Sequence, residues 1–107
     1  MNIQQIQQAM KKAEEVQKNV MRVKDELSKR TVTGSAGGGM VTATMNGDGV
    51  LTGMKIDPST VDLSELDVLE DLVTAAVNNA KKSVDSMGQK AMSELGISPE
   101  LMGGLGF

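Results

Sequence analysis

Apolar residues near the N terminus recur in alternating steps of three and four positions. They are Ile6, Ala9, Ala13, Val16, Val20, Val23 and Leu27. This pattern is typical of a helix that packs against a second helix. From about Asn2 to Lys29 the chain has neither Gly nor Pro and is rich in Gln, Lys, Glu and Ala, which favour helix. Such a helix would extend about 40 Å, so its apolar stripe requires another helix from the same molecule or from a second copy.

The segment from Thr31 to Asp57 is rich in Val, Thr, Gly and Met and predicts a small antiparallel sheet. A strand begins at residues 31–33, and residues 34–39 are interpreted as a flexible or tightly turning stretch. Val41, Ala43 and Met45 alternate with threonines, which is the pattern of a half-buried strand. Because a two-stranded ribbon is marginally stable, we expect a third strand around residues 31–37.

The tetrapeptide Asn46-Gly47-Asp48-Gly49 predicts the turn of a hairpin. We expect a type I′ turn, which needs positive φ at both of its central residues. The return strand is predicted over residues 50–56. One of its faces would carry Val50, Thr52, Met54 and Ile56.

A second long helix is predicted from about Glu65 to Leu95. Its apolar stripe consists of Leu69, Val73, Ala76, Ala80, Val84, Met87 and Ala91. Pro58 can open a short helical turn before it, either Asp62 or Ser64 is the candidate N-cap, and Gly96 is a natural C-terminal stop. The fold class is therefore α+β: a long N-terminal helix, a small three-stranded antiparallel sheet and a long C-terminal helix. We expect a single domain over residues 1–96 and a flexible Gly-rich tail over residues 97–107.

Composition argues against an enzyme. The 107-residue chain has no cysteine and no histidine, so thiolate metal sites and the commonest general base are excluded. The adjacent carboxylates Glu14-Glu15 and Glu70-Asp71 diverge by about 100° on a helix and are no prearranged acid–base pair. We expect no cofactor, metal or small-molecule substrate. The N terminus lacks the basic and apolar regions of a secretory signal and no stretch is long enough to span a membrane, which favours a cytoplasmic protein without a membrane partner.

Positive charge is concentrated in the first helix. The chain has a net charge of −3, yet residues 1–34 hold seven basic and four acidic residues. Lys11, Lys18, Arg22 and Lys29 lie on the side of the helix away from its apolar stripe. They could contact successive phosphates of a duplex, or they could form an ordinary solvated surface. Because Phe107 is the sole aromatic residue, base stacking is excluded as a main binding mode.

Four segments of the chain carry a resemblance to a known family. They are VTGSAGGGMV (residues 32–41), NG (46–47), IDPS (56–59) and LEDLVTAAVNNA (69–80). In this order and spacing they resemble the YbaB/EbfC family of bacterial nucleoid-associated proteins, and the resemblance covers nearly the whole chain. It implies a cytoplasmic, nucleoid-associated homodimer whose sheets join and whose long helices project like tweezers. It also implies binding of double-stranded DNA, with an influence on nucleoid organisation and gene expression.

The resemblance further implies that the first and last helices contact DNA. The matching basic residues are Lys11, Lys12, Lys18, Arg22, Lys24 and Lys29 in the first helix and Lys81, Lys82 and Lys90 in the last. Our leading hypothesis is a non-enzymatic homodimer that binds duplex DNA mainly through phosphate contacts. The alternative is a helix-mediated protein-interaction module or assembly factor without DNA binding.

Overall fold

The first element of the fold is the long helix α1, Ile3–Ser28, in a computed structural model that describes residues 2–96. Asn2 begins it with a capping box: the Gln5 amide donates to Asn2 Oδ1 at 2.8 Å, and the Asn2 amide donates to Gln5 Oε1 at 3.3 Å. This confirms the predicted N-terminal helix. The tail predicted over residues 97–107 lies outside the described residues.

Three antiparallel strands follow in the order β1-β2-β3. They are β1, Thr31–Ala36; β2, Val41–Asn46; and β3, Leu51–Ile56. The third strand expected around residues 31–37 is therefore confirmed, and the turning stretch is shorter than expected. It is limited to Gly37–Gly39, because residues 34–36 pair with residues 43–41 of β2.

The hairpin between β2 and β3 is present, but its predicted type I′ turn is wrong. In the segment 46–49 only Gly49 has a positive φ, of 82°. The Gly49 amide donates to the Asn46 carbonyl at 2.9 Å, and Asn46 Oδ1 accepts from the amides of Asp48 and Val50 at 3.0 and 3.1 Å. These hydrogen bonds are those of a type I turn followed by a glycine in the left-handed conformation. The Asn46 side chain stabilises this turn, which a dipeptide rule does not anticipate.

A bulge near the start of β3 changes which side chains share a face. Thr44 lies opposite Gly53, and Met45 lies opposite Leu51, so Thr52 has no residue opposite it. Opposed residues of an antiparallel pair share a face. Leu51 therefore takes the place that the strict alternation assigned to Thr52, and the prediction for that half of the strand is wrong.

Helix α2, Leu66–Glu94, follows two short 3₁₀ turns, Pro58–Thr60 and Leu63–Glu65. The first of these turns is the one that Pro58 was expected to open. Asp62 accepts from the Ser64 amide at 2.9 Å and so caps the second 3₁₀ turn, while the N-cap of α2 itself is Glu65. Neither candidate N-cap therefore caps α2. Gly96, with φ of 75°, follows the C-cap residue as predicted.

The main core lies between α2 and one face of the sheet. Its buried residues are Val41, Ala43, Met45, Ala76, Ala80 and Val84. Thr42 and Thr44 alternate with the buried residues of β2 and face the opposite side, so the sheet is apolar on the face that α2 covers. α2 packs on β1 and β2, which leaves β3 as an edge strand at the side of the core.

Candidate nucleic-acid interface

α1 is anchored at its C-terminal end and projects from the rest of the chain. Val20, Val23 and Leu27 are buried against Met92 of α2, in a small cluster that also includes Met87, Ala91 and Leu95. All residues from 2 to 19 are exposed. The described fold therefore presents about two-thirds of α1 to solvent as an arm.

The apolar stripe of α1 is buried only from Val20 onward. Val20, Val23 and Leu27 contact α2, whereas Ile6 and Val16 are 44% and 40% exposed. Ala9 and Ala13 are also exposed. The last third of the stripe packs within the chain, and the first two-thirds leave an apolar surface on the arm.

Three basic residues of α1 and its C-cap residue, Lys29, share one face. At 100° per residue, Lys11, Lys18, Arg22 and Lys29 lie within about 40° of one another. The buried Val20 lies about 160° to 180° from all four of these residues, so this face points away from α2. All four side chains are exposed. We call these four residues the cationic face.

Acidic neighbours reduce the charge of the cationic face at the anchored, C-terminal end of α1. Arg22 Nη1 lies 3.4 Å from Glu26 Oε1, and Lys29 Nζ lies 3.3 Å from Asp25 Oδ2. These pairs are exposed and therefore weak, so a phosphate can compete for either cation. Toward the middle of the arm, Glu14 and Glu15 lie between Lys11 and Lys18 in the sequence, so acidic residues accompany the cationic face there as well.

The other predicted DNA-contact residues are exposed but do not extend the cationic face. Lys12 and Lys24 lie about 100° and 140° from Lys11 around α1. On α2, Lys81 and Lys90 are about 180° apart, with Lys82 between them. Lys81 Nζ also lies 3.1 Å from Asp85 Oδ1. The α2 lysines therefore do not form one face.

An acidic segment limits where an anion can bind. Residues 57–71 contain six acidic side chains and no basic one. Within it, hydrogen bonds from the hydroxyl and amide of Ser59 lower the pKa of Asp57, and those of Ser64 lower the pKa of Asp62. Both carboxylates cap short turns, so these shifts reflect local structure.

The part of the chain that the structure describes shows no cluster of three or more metal-ligating side chains. Neither long helix within that part is apolar enough to cross a membrane. The chemistry that the described surface offers an anion is the charge of exposed lysine and arginine side chains.

A family model matches residues 1–98, nearly the whole chain. The chain belongs to the YbaB/EbfC DNA-binding family. It is 43% identical over 90 residues to a nucleoid-associated protein of Rhodospirillum rubrum, covering 84% of each chain. It is 41% identical over 101 residues to a nucleoid-associated protein of Saccharopolyspora erythraea, covering 94% of this chain and 85% of the relative.

A solved structure supports the fold of this YbaB/EbfC member. An uncharacterized protein from Helicobacter pylori superposes with a TM-score of 0.69 at 22% identity, covering 89% of this chain and 97% of the other. At this identity the likeness concerns the fold alone.

Two features of the structure were not singled out from the sequence. Gly47 contacts the C-terminal turn of α1, although its Asn-Gly context indicated a turn and nothing more. Leu51 and Met54 leave 45% and 37% of their surfaces exposed on the edge strand β3. The strand pattern was visible in the sequence, but the bulge and the position of α2 decide that this edge is uncovered.

Proposed function

We propose that this YbaB/EbfC protein binds double-stranded DNA through the cationic face of α1. The observation that carries the proposal is a set of four exposed cations along one side of the first helix, two of them on the projecting arm, in a chain that belongs to a DNA-binding family. Lysine and arginine contacts to phosphate give affinity with little sequence preference. Because the chain as a whole has a net charge of −3, this binding is restricted to the cationic face.

The binding form in this proposal is a homodimer joined through β3. Leu51 and Met54 are partly exposed on one face of β3, the preceding Val50 is 55% exposed, and among residues 2–96 β3 pairs with β2 alone. Such an edge readily pairs with another chain. Antiparallel pairing of two β3 strands about a two-fold axis would join the sheets and keep both α2 helices on the same side. Two arms at a set separation would then bind one duplex with greater avidity than either arm alone.

The proposed role is in the nucleoid, within the cytoplasm. The similar proteins from Rhodospirillum and Saccharopolyspora are named nucleoid-associated proteins. Contacts to the phosphate backbone suit a protein that occupies many DNA sites and thereby influences nucleoid organisation and gene expression.

A duplex titration with charge-reversal variants tests the proposal. Lys18→Glu and Lys55→Glu change the net charge equally, but Lys18 lies on the cationic face and Lys55 lies on β3, so sedimentation is used to verify that both variants keep the oligomeric state of the wild type. We expect Lys18→Glu to weaken binding about tenfold at low salt and Lys55→Glu to weaken it much less. Adding Arg22→Glu to Lys18→Glu should weaken binding further.

Equal binding by the wild type and the Lys18→Glu/Arg22→Glu variant would show that the cationic face does not bind DNA.

The exposed apolar stripe favours one other function, a helix-mediated interaction with a protein partner. Absence of any DNA binding at low salt, together with capture of a specific protein after nuclease treatment, would support that function instead.

A further inference from the structure

The turn between β2 and β3 lies directly against the C-terminal end of α1. The Gly47 amide donates to the Arg30 carbonyl at 3.0 Å. A Cβ atom at Gly47 would overlap the backbone carbonyl of Leu27 and lie 3.1 Å from the Ser28 nitrogen. Since Gly47 does not have a positive φ, this position needs glycine because of the close approach and not because of its backbone conformation.

The same turn also lies near α2. A Cβ at Gly49 would lie 3.4 Å from Lys81 Nζ, and that ammonium group pairs with Asp85. The turn therefore lies beside both long helices. The backbone ladder of β2 and β3 holds it in place, while α1 is held near this end by three buried side chains, Val20, Val23 and Leu27.

We infer that Gly47 is a positioning residue that sets the direction in which α1 projects from the sheet and α2. This inference rests on the proposed function, because direction matters only if the arm binds DNA. A side chain added at Gly47 would push on Leu27 and turn α1 about its contact at Val20. Leu27 lies about 10 Å along the helix from Val20, and Ile3 lies about 25 Å from Val20 in the opposite direction. A shift of about 1 Å at Leu27 therefore moves the free end by about 2.5 Å. Phosphates along one DNA strand are only about 3.4 Å apart in axial rise.

The test compares Gly47→Ala with Gly88→Ala. Gly88 lies within α2, and a Cβ there would meet no atom within 4 Å. Because the chain has no native cysteine, spin labels can be placed by Gln8→Cys and Ser86→Cys, both at exposed positions. Labelled protein is diluted into unlabelled protein, so that each measured distance lies within one chain. Duplex affinity is measured for the same variants, together with Lys18→Glu.

We expect Gly47→Ala to shift the distance between the labels and to weaken duplex binding about fivefold although every charge is retained. Gly88→Ala should change neither quantity, and Lys18→Glu should weaken binding without moving the labels. If Lys18→Glu has no effect on affinity, the proposed function fails. If Lys18→Glu weakens binding while Gly47→Ala leaves both distance and affinity as in the wild type, the positioning role of Gly47 is wrong.

A second variant covers the case in which Gly47→Ala does not fold. Val23→Ala loosens the anchor of α1 without crowding the turn, since Val23 is buried in the cluster around Met92. It should broaden the distance distribution and weaken duplex binding with all charges intact. A broadened distribution with unchanged affinity would show that the direction of the arm does not determine binding, and would overturn the inference.

Discussion

Gly34 of β1 lies in direct backbone contact with Ala80 of α2. A Cβ atom at Gly34 would overlap the Ala80 nitrogen, lie 2.7 Å from the Ala80 Cα and lie 2.5 Å from the Ala76 carbonyl oxygen. Backbone atoms cannot rotate aside as a flexible side chain can. Gly34→Ala must therefore separate α2 from the sheet, and we expect it to lower the free energy of unfolding by about 3 kcal/mol.

Urea denaturation of Gly34→Ala checks this expectation, with Gly88→Ala as the matched control. Gly88 lies in a helix with open space around its Cα and no positive φ, so alanine there should raise stability by about 0.5–1 kcal/mol. A denaturation midpoint for Gly34→Ala equal to that of the wild type would contradict the close packing.

The base of the arm depends on Met92. Met92 has no exposed surface and packs with Val20, Val23 and Leu27 of α1. Met92→Ala should cost about 2–3 kcal/mol and speed amide hydrogen exchange in the C-terminal half of α1. Met21 is 70% exposed, so Met21→Ala should change stability by less than about 0.5 kcal/mol. Similar exchange in α1 for both variants would mean that Met92 does not hold the arm.

Local patterns in the sequence were sufficient to predict the elements of this fold. Unbroken helix formers predicted α1, alternation of apolar residues with threonine predicted β2, and Gly96 marked the end of α2. The errors occur where distant or side-chain interactions decide the backbone. The Asn46 side chain accepts two amide hydrogen bonds and stabilises a turn other than the predicted type I′ turn. The bulge at Thr52 places Leu51 on the sheet face that the strict alternation assigned to Thr52.

The apolar edge of β3 leads to a prediction about assembly. Met54 is 37% exposed on an unpaired edge, where we propose that a second copy pairs. Met54→Lys would place a charge in that interface and should produce monomers in analytical ultracentrifugation at micromolar concentration. Met21→Lys makes the same chemical change on the exposed side of α1 and should leave the dimer intact. A dimer that survives Met54→Lys would require another interface.

Acid titration should reveal the cap at Asp57. The Ser59 hydroxyl and amide donate to Asp57 Oδ1 at 2.7 and 3.0 Å, and these bonds lower the pKa of Asp57 below its usual 3.8. This carboxylate therefore contributes stability that is present above pH 3.8 and is lost as the pH falls through the lowered folded-state pKa.

Removal of the hydroxyl isolates its effect. In Ser59→Ala, a carboxyl titration followed by NMR should show the pKa of Asp57 moving up toward 3.8, while the pKa of Asp62 keeps its lowered value. Ser64→Ala should do the reverse. If Ser59→Ala shifts both carboxyl groups or neither, the assignment of the lowered pKa to this hydrogen bond is wrong.

The candidate site could be predicted from the sequence only in part. Helical spacing alone places Lys11, Lys18, Arg22 and Lys29 on one face, because α1 is regular along its whole length. The sequence did not show that the arm is anchored at one end or that Gly47 contacts that end. Those facts arise from contacts between residues some 20 or more positions apart, which periodicity does not encode.

Glu26 offers a test in which DNA binding should become stronger. Its carboxylate pairs with Arg22 at 3.4 Å on an exposed surface, so it competes with phosphate for that cation. Glu26→Gln releases Arg22 and removes one negative charge per chain. If each chain gains one phosphate contact, the proposed dimer gains two, and the plot of log K against log salt should steepen by about 1.8. Glu70→Gln changes the net charge equally, but Glu70 lies in the acidic segment on α2 and should have little effect. Equal gains in duplex affinity from the two variants would indicate a response to net charge alone, and would argue against a phosphate contact by Arg22.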